Sequence, residues 1–301
     1  MHAINFYGQA LNAYKTACHI HSVNSDGQYT PQAVIALYAA HDFDALAFTD
    51  HHVTNPVSTY DGRGMTLLSG IEVHPRGPRG IVWHFLVIGV PETFQNPPPD
   101  DAQAAVDAAK AAGAAVFCAH PYWCGLTSAE VASIRNLDGI EVYNSSCRSI
   151  GRAYNMECWD ELSDMNLVYP ALAVDDTHGA QHLFQGWTYV VAEDKSPAAL
   201  LAALKAGRLY ASQGPVITRL SFEDGVFEAD FSPCTEVIGL TNPSRGYGIA
   251  LEDKEGPGSG VEEITTVRIP LLKDGKKRWF RLQLRDTKGR YAWTAPIVYQ
   301  G

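Results

Sequence analysis

The sequence predicts an α/β fold in which a parallel β-sheet, open or closed into a barrel, is followed by a small part made of β-strands. Short apolar runs alternate with helical patterns from about residue 15 to about residue 212, and such alternation is typical of parallel sheets. After Gly214-Pro215 the helical periodicity ends, and short strand patterns separated by turn residues follow. We therefore expect an α/β domain at 1–213 and a small, sandwich-like β-rich domain at 214–301.

Helices are predicted where a capping residue precedes a run with helical spacing. Thr30 precedes Pro31 and Ser196 precedes Pro197; a hydroxyl at the N-cap and a proline at the first helical position both favour the start of a helix. Gly207 follows the last of these runs, where glycine commonly ends a helix. The predicted helices cover residues 31–40, 100–112, 128–135, 152–165 and 196–206.

Strands are predicted where short apolar runs lie between turn residues. In the first part of the chain these runs are residues 15–21, 45–49, 66–73, 81–90, 114–119, 139–143, 168–174 and 187–191. In the second part they are residues 216–222, 226–231, 236–240, 263–269, 279–286 and 295–299, and residues 256–260 are predicted to form a surface loop.

The composition restricts the class of function. The chain has 301 residues, of which 46% are hydrophobic and 19% charged, so it is able to bury a core. Its formal net charge of -10 makes a nucleic acid polymer a poor partner, because such polymers are bound mainly through their phosphates. A small anionic substrate remains compatible if metal ions supply local positive charge.

The location of the protein is predicted from segments that the sequence lacks. The first residues show neither the basic nor the apolar region of a signal peptide. No run reaches the roughly 20 apolar residues that a transmembrane helix needs. The six cysteines form no CxxC pair and are interpreted as reduced, buried thiols. We expect a cytoplasmic protein with no membrane partner; the sequence is compatible with an oligomer.

Side chains capable of binding a metal recur where the predicted strands end. His19 and His21 are two residues apart at the end of the first strand, so both point to one face. Asp176 and His178 repeat this spacing after a later strand. Because the carboxyl ends of barrel strands carry the active site, we expect these side chains to converge.

Other strand ends supply further candidates. Glu72 lies in an apolar Gly-Ile-Glu-Val run, where a carboxylate is costly unless it is paired or binds a cation. Each histidine taken alone is more often a packed core residue than a ligand, but histidine and carboxylate together suit Zn, Mn or Fe. The strand-end candidates are His19, His21, Asp50, His51, Glu72, His120, Glu141, Asp176 and His178. Two further candidates are Asp26, which lies in a loop, and His84, which lies inside the predicted strand 81–90.

Together these motifs resemble the PHP (polymerase and histidinol phosphatase) superfamily of metal-dependent phosphoesterases over roughly residues 14–212. The motifs are His19-Ile20-His21-Ser22, Ser25-Asp26-Gly27, Thr49-Asp50-His51-His52, Gly70-Ile71-Glu72, His84, Ala119-His120-Pro121 and Asp176-Thr177-His178. The strings that follow His120 and Asp175, with the trailing β part, look most like the CehA/McbA-type branch, which includes carbamate and aryl-ester hydrolases.

The resemblance implies a distorted, TIM-like (β/α) barrel of about seven strands. It also implies two or three divalent metal ions (Mn, Fe or Zn, with Mg compatible). By the same resemblance the first ion is held by His19, His21, Glu72 and Asp176, the second by Asp26, His51 and His178, and a third by Glu72, His84 and His120.

We expect a metal-dependent hydrolase acting on a small phosphomonoester or nucleotide, with a metal-bridging hydroxide attacking phosphorus in line. Asp50 and His52 are candidates for proton transfer, or they orient the ligands, and we favour the second role for Asp50. Arg148 and Arg152 are candidates for binding phosphate oxygens, with solvated surface charges as the alternative.

Two further side chains are candidates for contact with the substrate. Glu141 ends a predicted strand and would contact the substrate, support a ligand or itself be a ligand. Tyr122 lies near a strand end and would stack on a leaving group or simply pack at the rim. Arg76 and Arg79, in the loop after Glu72, are weaker candidates for phosphate binding.

Three other functions compete with this one. The same metals would serve a carboxylic or carbamic ester hydrolase, and a non-catalytic, metal-dependent binding module would need the same ligands. A structural subunit of a polymerase is the third. All nine predicted ligand positions carry residues able to bind metal, which argues against a degenerate module, and the acidic charge argues against the polymerase subunit.

Overall fold

The computed structural model describes residues 1–98, 100–242, 245–250 and 263–301, so the predicted loop at 256–260 lies outside the described residues. The helices are α1 (Pro31–Ala39), α2 (Ala102–Ala111), α3 (Pro121–Cys124), α4 (Ser128–Ala132), α5 (Met156–Asp164) and α6 (Pro197–Lys205). The strands are β1 (His2–Phe6), β2 (Gln9–Ala17), β3 (Ala45–Phe48), β4 (Thr66–Val73), β5 (Phe85–Ile88), β6 (Ala115–Cys118), β7 (Gly139–Asn144), β8 (Ala171–Val174), β9 (Trp187–Ala192), β10 (Leu209–Ser212), β11 (Ile217–Glu223), β12 (Val226–Cys234), β13 (Glu236–Thr241), β14 (Gly246–Ala250), β15 (Ile264–Pro270), β16 (Lys277–Arg285), β17 (Tyr291–Thr294) and β18 (Ile297–Gln300).

The strands of the first part form a ladder in the order β9–β2–β3–β4–β5–β6–β7–β8. The predicted parallel pairing is present for β2–β3, β3–β4, β6–β7 and β7–β8. In contrast, β5 runs antiparallel to both of its neighbours, and β9 runs antiparallel to β2. The segment between β4 and β5 contains no α-helix and makes no crossover, so the chain simply turns back.

The antiparallel direction of β5 determines where His84 lies relative to the other predicted ligands. The carboxyl ends of β2, β3, β4, β6, β7 and β8 lie at one edge of the sheet, because these strands run in the same direction. Since β5 runs the opposite way, its amino end lies at that same edge. His84, which directly precedes β5, is thereby brought to the edge where the other predicted ligands follow their strands.

The helix caps agree with the sequence patterns. The side-chain oxygen of Thr30 accepts a hydrogen bond from the backbone of α1, and that of Ser196 does the same for α6. Thr127 and Glu130 form a reciprocal capping box at α4. Two helices begin later than predicted, α2 at 102 and α5 at 156, and the strands β1, β10, β14 and β17 were not predicted.

The part after residue 213 contains strands and no α-helix among its described residues. It shares a hydrogen-bonded sheet with the first part, because β1 pairs with β11 and β10 pairs with β17. One apolar cluster includes Tyr210, Ile217 and Phe227 and so crosses the predicted boundary. A buried arginine, Arg281 of β16, forms an ion pair with Asp160 of α5. The division into two domains stays a prediction.

In the part of the chain that the structure describes, every helix is too short or too polar to span a bilayer. The predicted cytoplasmic location and the oligomeric state stay predictions.

Candidate metal centre

The nine predicted metal ligands converge at the edge of the sheet described above. Seven of them line a cavity of about 220 Å³, together with Trp123, Ser146 and Cys147. The other two, His19 and His21, are fully buried and contact the same cluster. The seven that line the cavity are Asp26, His51, Glu72, His84, His120, Asp176 and His178.

The carboxylate of Glu72, at the end of β4, is the centre of the cluster. It is completely buried, yet imidazole nitrogens surround both of its oxygens. Around Oε2 lie the nitrogens of His51 at 2.8 Å, His19 at 3.3 Å, His21 at 3.4 Å and His74 at 3.6 Å. Around Oε1 lie those of His84 at 2.8 Å and His120 at 3.4 Å.

A second carboxylate, that of Asp176, faces the same histidine pair from the end of β8. Its Oδ1 lies 3.1 Å from His21 Nε2 and 3.3 Å from His19 Nε2. Asp26 lies on the outer side of the cluster, with its Oδ1 3.3 Å from His178 Nε2 and 3.5 Å from His51 Nε2. The three ligand sets implied by the resemblance are therefore adjacent in space.

Several ring nitrogens that point away from the centre have partners behind them. His19 Nδ1 lies 2.6 Å from a Glu141 oxygen, and His178 Nδ1 lies 2.9 Å from the carbonyl oxygen of Asp176. His120 Nδ1 lies 3.5 Å from the sulfur of Cys124. Such partners fix the tautomer and orientation of a ligating histidine, so that the other nitrogen presents its lone pair to a metal.

The position of Glu141 differs from the substrate contact that the sequence suggested. Its carboxylate is completely buried behind His19. It also accepts hydrogen bonds from the backbone N–H of His120 at 2.8 Å and from the Asn144 amide at 3.0 Å. Asn144 in turn donates to Asp176 Oδ2 at 3.0 Å. This placement suits the alternative in which Glu141 supports ligands.

The predicted ligand set included His84 and left out His74, although His74 lies nearer to Glu72 in the sequence, and the structure places both in the cluster. His74 follows β4 directly, two residues after Glu72, and its Nε2 approaches Glu72 as given above. Its ring stacks on that of His84, with centroids 3.7 Å apart. The signal was present, because the spacing of two residues that pairs His19 with His21 also pairs Glu72 with His74.

Unsatisfied atoms at the centre test whether these residues fit a metal ion. Glu72 Oε2, His51 Nδ1 and His74 Nε2 are buried, and although His51 Nδ1 lies 2.8 Å from Glu72 Oε2, none of the three atoms makes a well-aligned hydrogen bond within the described residues. These three side chains offer ligand atoms that all lie within 4.8 Å of one another. Buried polar atoms without partners are rare because they are costly. Nitrogen and oxygen donors directed at one point fit a divalent cation.

The pKa values of the cluster side chains also bear on metal binding. Burial by itself would raise the pKa of Glu72, but His19 and His84 outweigh it and hold that pKa well below its usual range. Burial is the main reason that the pKa of His74 falls to about 4. Burial would also lower the pKa of His19, His51 and His120, but neighbouring carboxylates and, for His120, also Cys124 outweigh it and raise these three pKa values. The cluster therefore combines an ionised carboxylate with neutral and protonated imidazoles, and a metal ion would displace the protons on binding.

The backbone around the ligands is unusual. His52, His120 and Asp176 have φ angles of 60°, 25° and 52°, which are uncommon for residues with a side chain. In the loop that carries Asp26, a Cβ on Gly27 would lie 2.7 Å from the carbonyl carbon of His21, so only glycine fits there. The positive φ angles of His52, His120 and Asp176 are three of several in the described residues, and at these positions they set the direction in which a site side chain points.

The predicted proton-transfer residues lie in different surroundings. Asp50 is fully buried and accepts hydrogen bonds from Ser22, Ser25 and Asn55. It therefore holds the loop after His21, which favours the orienting role. His52 is exposed, and its ring centroid lies 4.4 Å from that of His74.

The predicted phosphate-binding arginines also differ from each other. Arg148 is exposed, in the short 3-10 helix Ser146–Ile150, whose first two residues line the cavity. Arg152 lies over the ring of Tyr122 at 5.1 Å and donates to the carbonyl oxygens of Tyr122 and Trp123 at 3.3 Å. Arg152 thus supports the α3 turn, next to the cavity.

Comparison with solved structures finds proteins whose folds resemble that of this chain. A two-domain protein from Bacteroides vulgatus ATCC 8482 that contains a predicted PHP-like metal-dependent phosphoesterase matches with a TM-score of 0.50 and 19% identity, over 97% of this chain and 96% of that chain. An amidohydrolase from Chromobacterium violaceum, solved with bound sulfate and no metal, matches with a TM-score of 0.43 and 17% identity, over 54% of this chain and 87% of that one. No family model and no curated protein matches the chain. The first likeness shows a common fold over nearly the whole chain; the second is too weak to support a conclusion.

Proposed function

We propose that the protein is a metal-dependent hydrolase of the PHP type that acts on a small phosphomonoester or nucleotide. The observation that carries this proposal is the buried Glu72 carboxylate, whose two oxygens are surrounded by histidine nitrogens and whose Oε2 makes no well-aligned hydrogen bond to any of them. A fold shared with a protein that contains a predicted PHP-like metal-dependent phosphoesterase supports the same class.

The residues that would hold the metal ions fall into three groups. We propose one ion at His19, His21, Glu72 and Asp176, a second at Asp26, His51 and His178, and a third at Glu72, His84 and His120, with His74 as a further donor beside Glu72. Divalent ions at these positions would supply an activated water nucleophile and neutralise charge on a phosphoryl group.

The chain's own residues would then position the substrate and the proton. Arg148 is proposed to bind phosphate oxygens, because the 3-10 helix that carries it also forms part of the cavity wall through Ser146 and Cys147. His52 is proposed to transfer a proton at the rim, since its exposed ring adjoins His74. Arginine suits phosphate because its planar group binds two oxygens at once.

We also propose that the first part closes into a distorted barrel and that residues 214–301 form a β-rich domain on it. The two ends of the ladder approach each other, because the hydroxyl of Thr188 in β9 donates to the carbonyl oxygen of Ala173 in β8 at 3.1 Å. This contact lies between strands that are last and first in the ladder order, as closure requires.

The proposed function is tested by metal content together with a substrate panel. Purified protein is expected to carry two or three equivalents of Mn, Fe or Zn. It is expected to hydrolyse p-nitrophenyl phosphate faster than the corresponding phosphodiester or acetate. Asp176→Ala and His51→Ala should lose metal and activity together, whereas the exposed control Asp107→Ala should keep both. Unchanged metal content in both site variants would contradict the proposal, and faster acetate hydrolysis would favour the ester hydrolase.

A further inference from the structure

A second cavity, of about 430 Å³, adjoins the metal-ligand cavity. The turn of α3 separates them, because Trp123 lines the first cavity and its neighbour Tyr122 lines the second. The other wall of the second cavity is the start of α5, which follows the loop after β7. Its volume lies within the roughly 300–1,000 Å³ typical of small-molecule sites.

The charge of this second cavity is negative. Glu157 and Glu161 both line it from α5, one helical turn apart, and like charges at this spacing destabilise a helix. None of the described residues that line the cavity is Lys or Arg, and the nearby Arg152 lies over the ring of Tyr122. One oxygen of Glu161 accepts a hydrogen bond from Ser128, which leaves its other oxygen and the carboxylate of Glu157 for a ligand. Ionised carboxylates only accept hydrogen bonds, so the cavity favours a ligand that donates hydrogen bonds and carries no negative charge.

A buried amide in the same cavity requires a hydrogen-bond acceptor from the ligand, whereas the glutamates require a donor. Asn155 lines the cavity and is 2% exposed. Its Oδ1 accepts a hydrogen bond from the backbone N–H of Tyr122 at 2.7 Å, which fixes the orientation of the amide. Its Nδ2 has no hydrogen-bond partner within the described residues. A buried donor without a partner costs free energy, which a nearby ligand acceptor would recover.

The remaining walls are aromatic and apolar. The side chains of Tyr122 and Tyr154 are 51% and 43% exposed, and Leu126 and Met156 complete this side of the cavity. Exposed rings next to a proposed active site offer flat surfaces on which a saturated or unsaturated ring can pack.

We propose that this second cavity binds the leaving group of the substrate and that this group is hydroxylated, so that the substrate is a phosphorylated sugar or polyol. A hydroxyl both donates and accepts, and it therefore serves the two glutamates and the unpaired Asn155 amide, whereas an ammonium only donates. This inference rests on the proposed phosphoesterase function and narrows its substrate class.

Four phosphomonoesters test the proposal on the metal-loaded protein: a hexose phosphate, ethyl phosphate, ethanolamine phosphate and a phosphorylated glycerate. We expect kcat/KM for the hexose phosphate to exceed that for ethyl phosphate and ethanolamine phosphate by about tenfold or more, because a site built for hydroxyls rejects analogues that lack them. The glycerate ester, with its carboxylate, should be the poorest of the four. A preference for ethanolamine phosphate would overturn the assignment to hydroxyls.

A bulky substitution inside the cavity provides the second test. Met156→Trp places a larger ring in the cavity and should lower the ratio of kcat/KM for hexose phosphate to that for ethyl phosphate about tenfold. The matched control is Met165→Trp, because Met165 lies just past the other end of α5 and is 46% exposed. An equal ratio in the two variants would contradict the proposal.

Binding of the free hexose separates this inference from the proposed function, because it needs no turnover. Saturation transfer in NMR from the protein to the free hexose is expected for the natural chain and for Met165→Trp but not for Met156→Trp. Transfer without hydrolysis of any phosphate ester would show that the proposed function fails while the cavity assignment holds. Hydrolysis of all four esters at similar rates, together with no saturation transfer to the free hexose, would show that the proposed function holds while the cavity assignment fails.

Discussion

Two buried carboxylates near strand ends of the same sheet, Asp50 after β3 and Glu72 in β4, have opposite surroundings. Both are completely buried. Asp50 accepts hydrogen bonds from hydroxyl, backbone and amide groups of Ser22, Ser25 and Asn55, the shortest at 2.6 Å. Glu72 is surrounded by imidazole nitrogens and keeps one oxygen without a hydrogen bond.

The difference shows how burial alone fails to identify a functional carboxylate. Around Asp50 the protein supplies its own neutral donors, so the buried carboxylate is satisfied by hydrogen bonds within the fold and serves to hold a loop. Around Glu72 the neighbours are imidazole rings, and one of their nitrogens, His84 Nδ1, lies within hydrogen-bond distance of Oε1 at 2.8 Å. Such a cluster is stabilised by protons on the rings or by a cation in their place. Substitutions at the two carboxylates and at their neighbours should therefore differ in kind, some in metal affinity and others in stability.

The largest effect is expected for Glu72→Gln. A ligand that lies between several histidines should cost roughly 1,000-fold in metal affinity, beyond the roughly 10–100-fold typical of residues behind the ligands. Activity should be lost with the metal. Metal content measured by mass spectrometry and affinity measured by competition with a chelator provide the test. Retention of a full metal complement would remove the contrast with Asp50.

Asp50→Ala should act on stability instead. The change leaves the buried donors of Ser22, Ser25 and Asn55 without their acceptor, at an expected cost of about 3 kcal/mol in the free energy of unfolding. Urea denaturation of the metal-free protein measures this, with metal-free Glu72→Gln as the control that is expected to lose less. If Asp50→Ala proved the more stable variant, the two carboxylates would not differ in the way described.

An intermediate effect is expected for Glu141→Gln. The amide keeps one acceptor but removes the charge beside His19 Nδ1 and the backbone N–H of His120. Metal affinity should fall roughly 10–100-fold while the cavity stays intact, as is usual for partners of ligating histidines. Chelator competition gives the affinity, and a KM for p-nitrophenyl phosphate that stays constant at saturating metal distinguishes this from loss of substrate binding. A changed KM would point to the substrate contact instead.

The smallest effect is expected at the surface, for Arg79→Ala. Arg79 forms a bidentate pair with Glu130, with N···O distances of 2.7 Å, but the arginine is largely exposed and such pairs contribute little. We expect kcat/KM to change less than about twofold, in contrast to Arg148→Ala, which should lower it. A larger loss for Arg79→Ala than for Arg148→Ala would reverse the proposed assignment of phosphate contacts.

Much of the candidate site could be predicted because strand periodicity is local. The spacing of two residues in His19/His21 and Asp176/His178 places each pair on one face of an extended chain, whatever the rest of the fold does. The direction of parallel strands then brings the ends of different strands to one edge. The structure places all nine predicted ligands together at that edge.

Other features could not be predicted, because they depend on which strand lies beside which. The reversal of β5 places His84 next to Glu72, although His84 precedes its strand instead of following it. The roles of Glu141 and Asp50 depend on the donors that other segments bring to them. The contact between Cys124 and His120 requires the α3 turn.

Local sequence patterns were sufficient to predict the alternation of strands and helices and the residue types at the strand ends, and hence a donor set suited to divalent metals. These follow from local periodicity and from the chemistry of single side chains. The tertiary structure alone decided which carboxylate is satisfied and which is left for a cation, and where a second cavity opens beside the first. Hydrogen-bond satisfaction and cavity shape arise from segments far apart in the chain, and no local pattern encodes which of them meet.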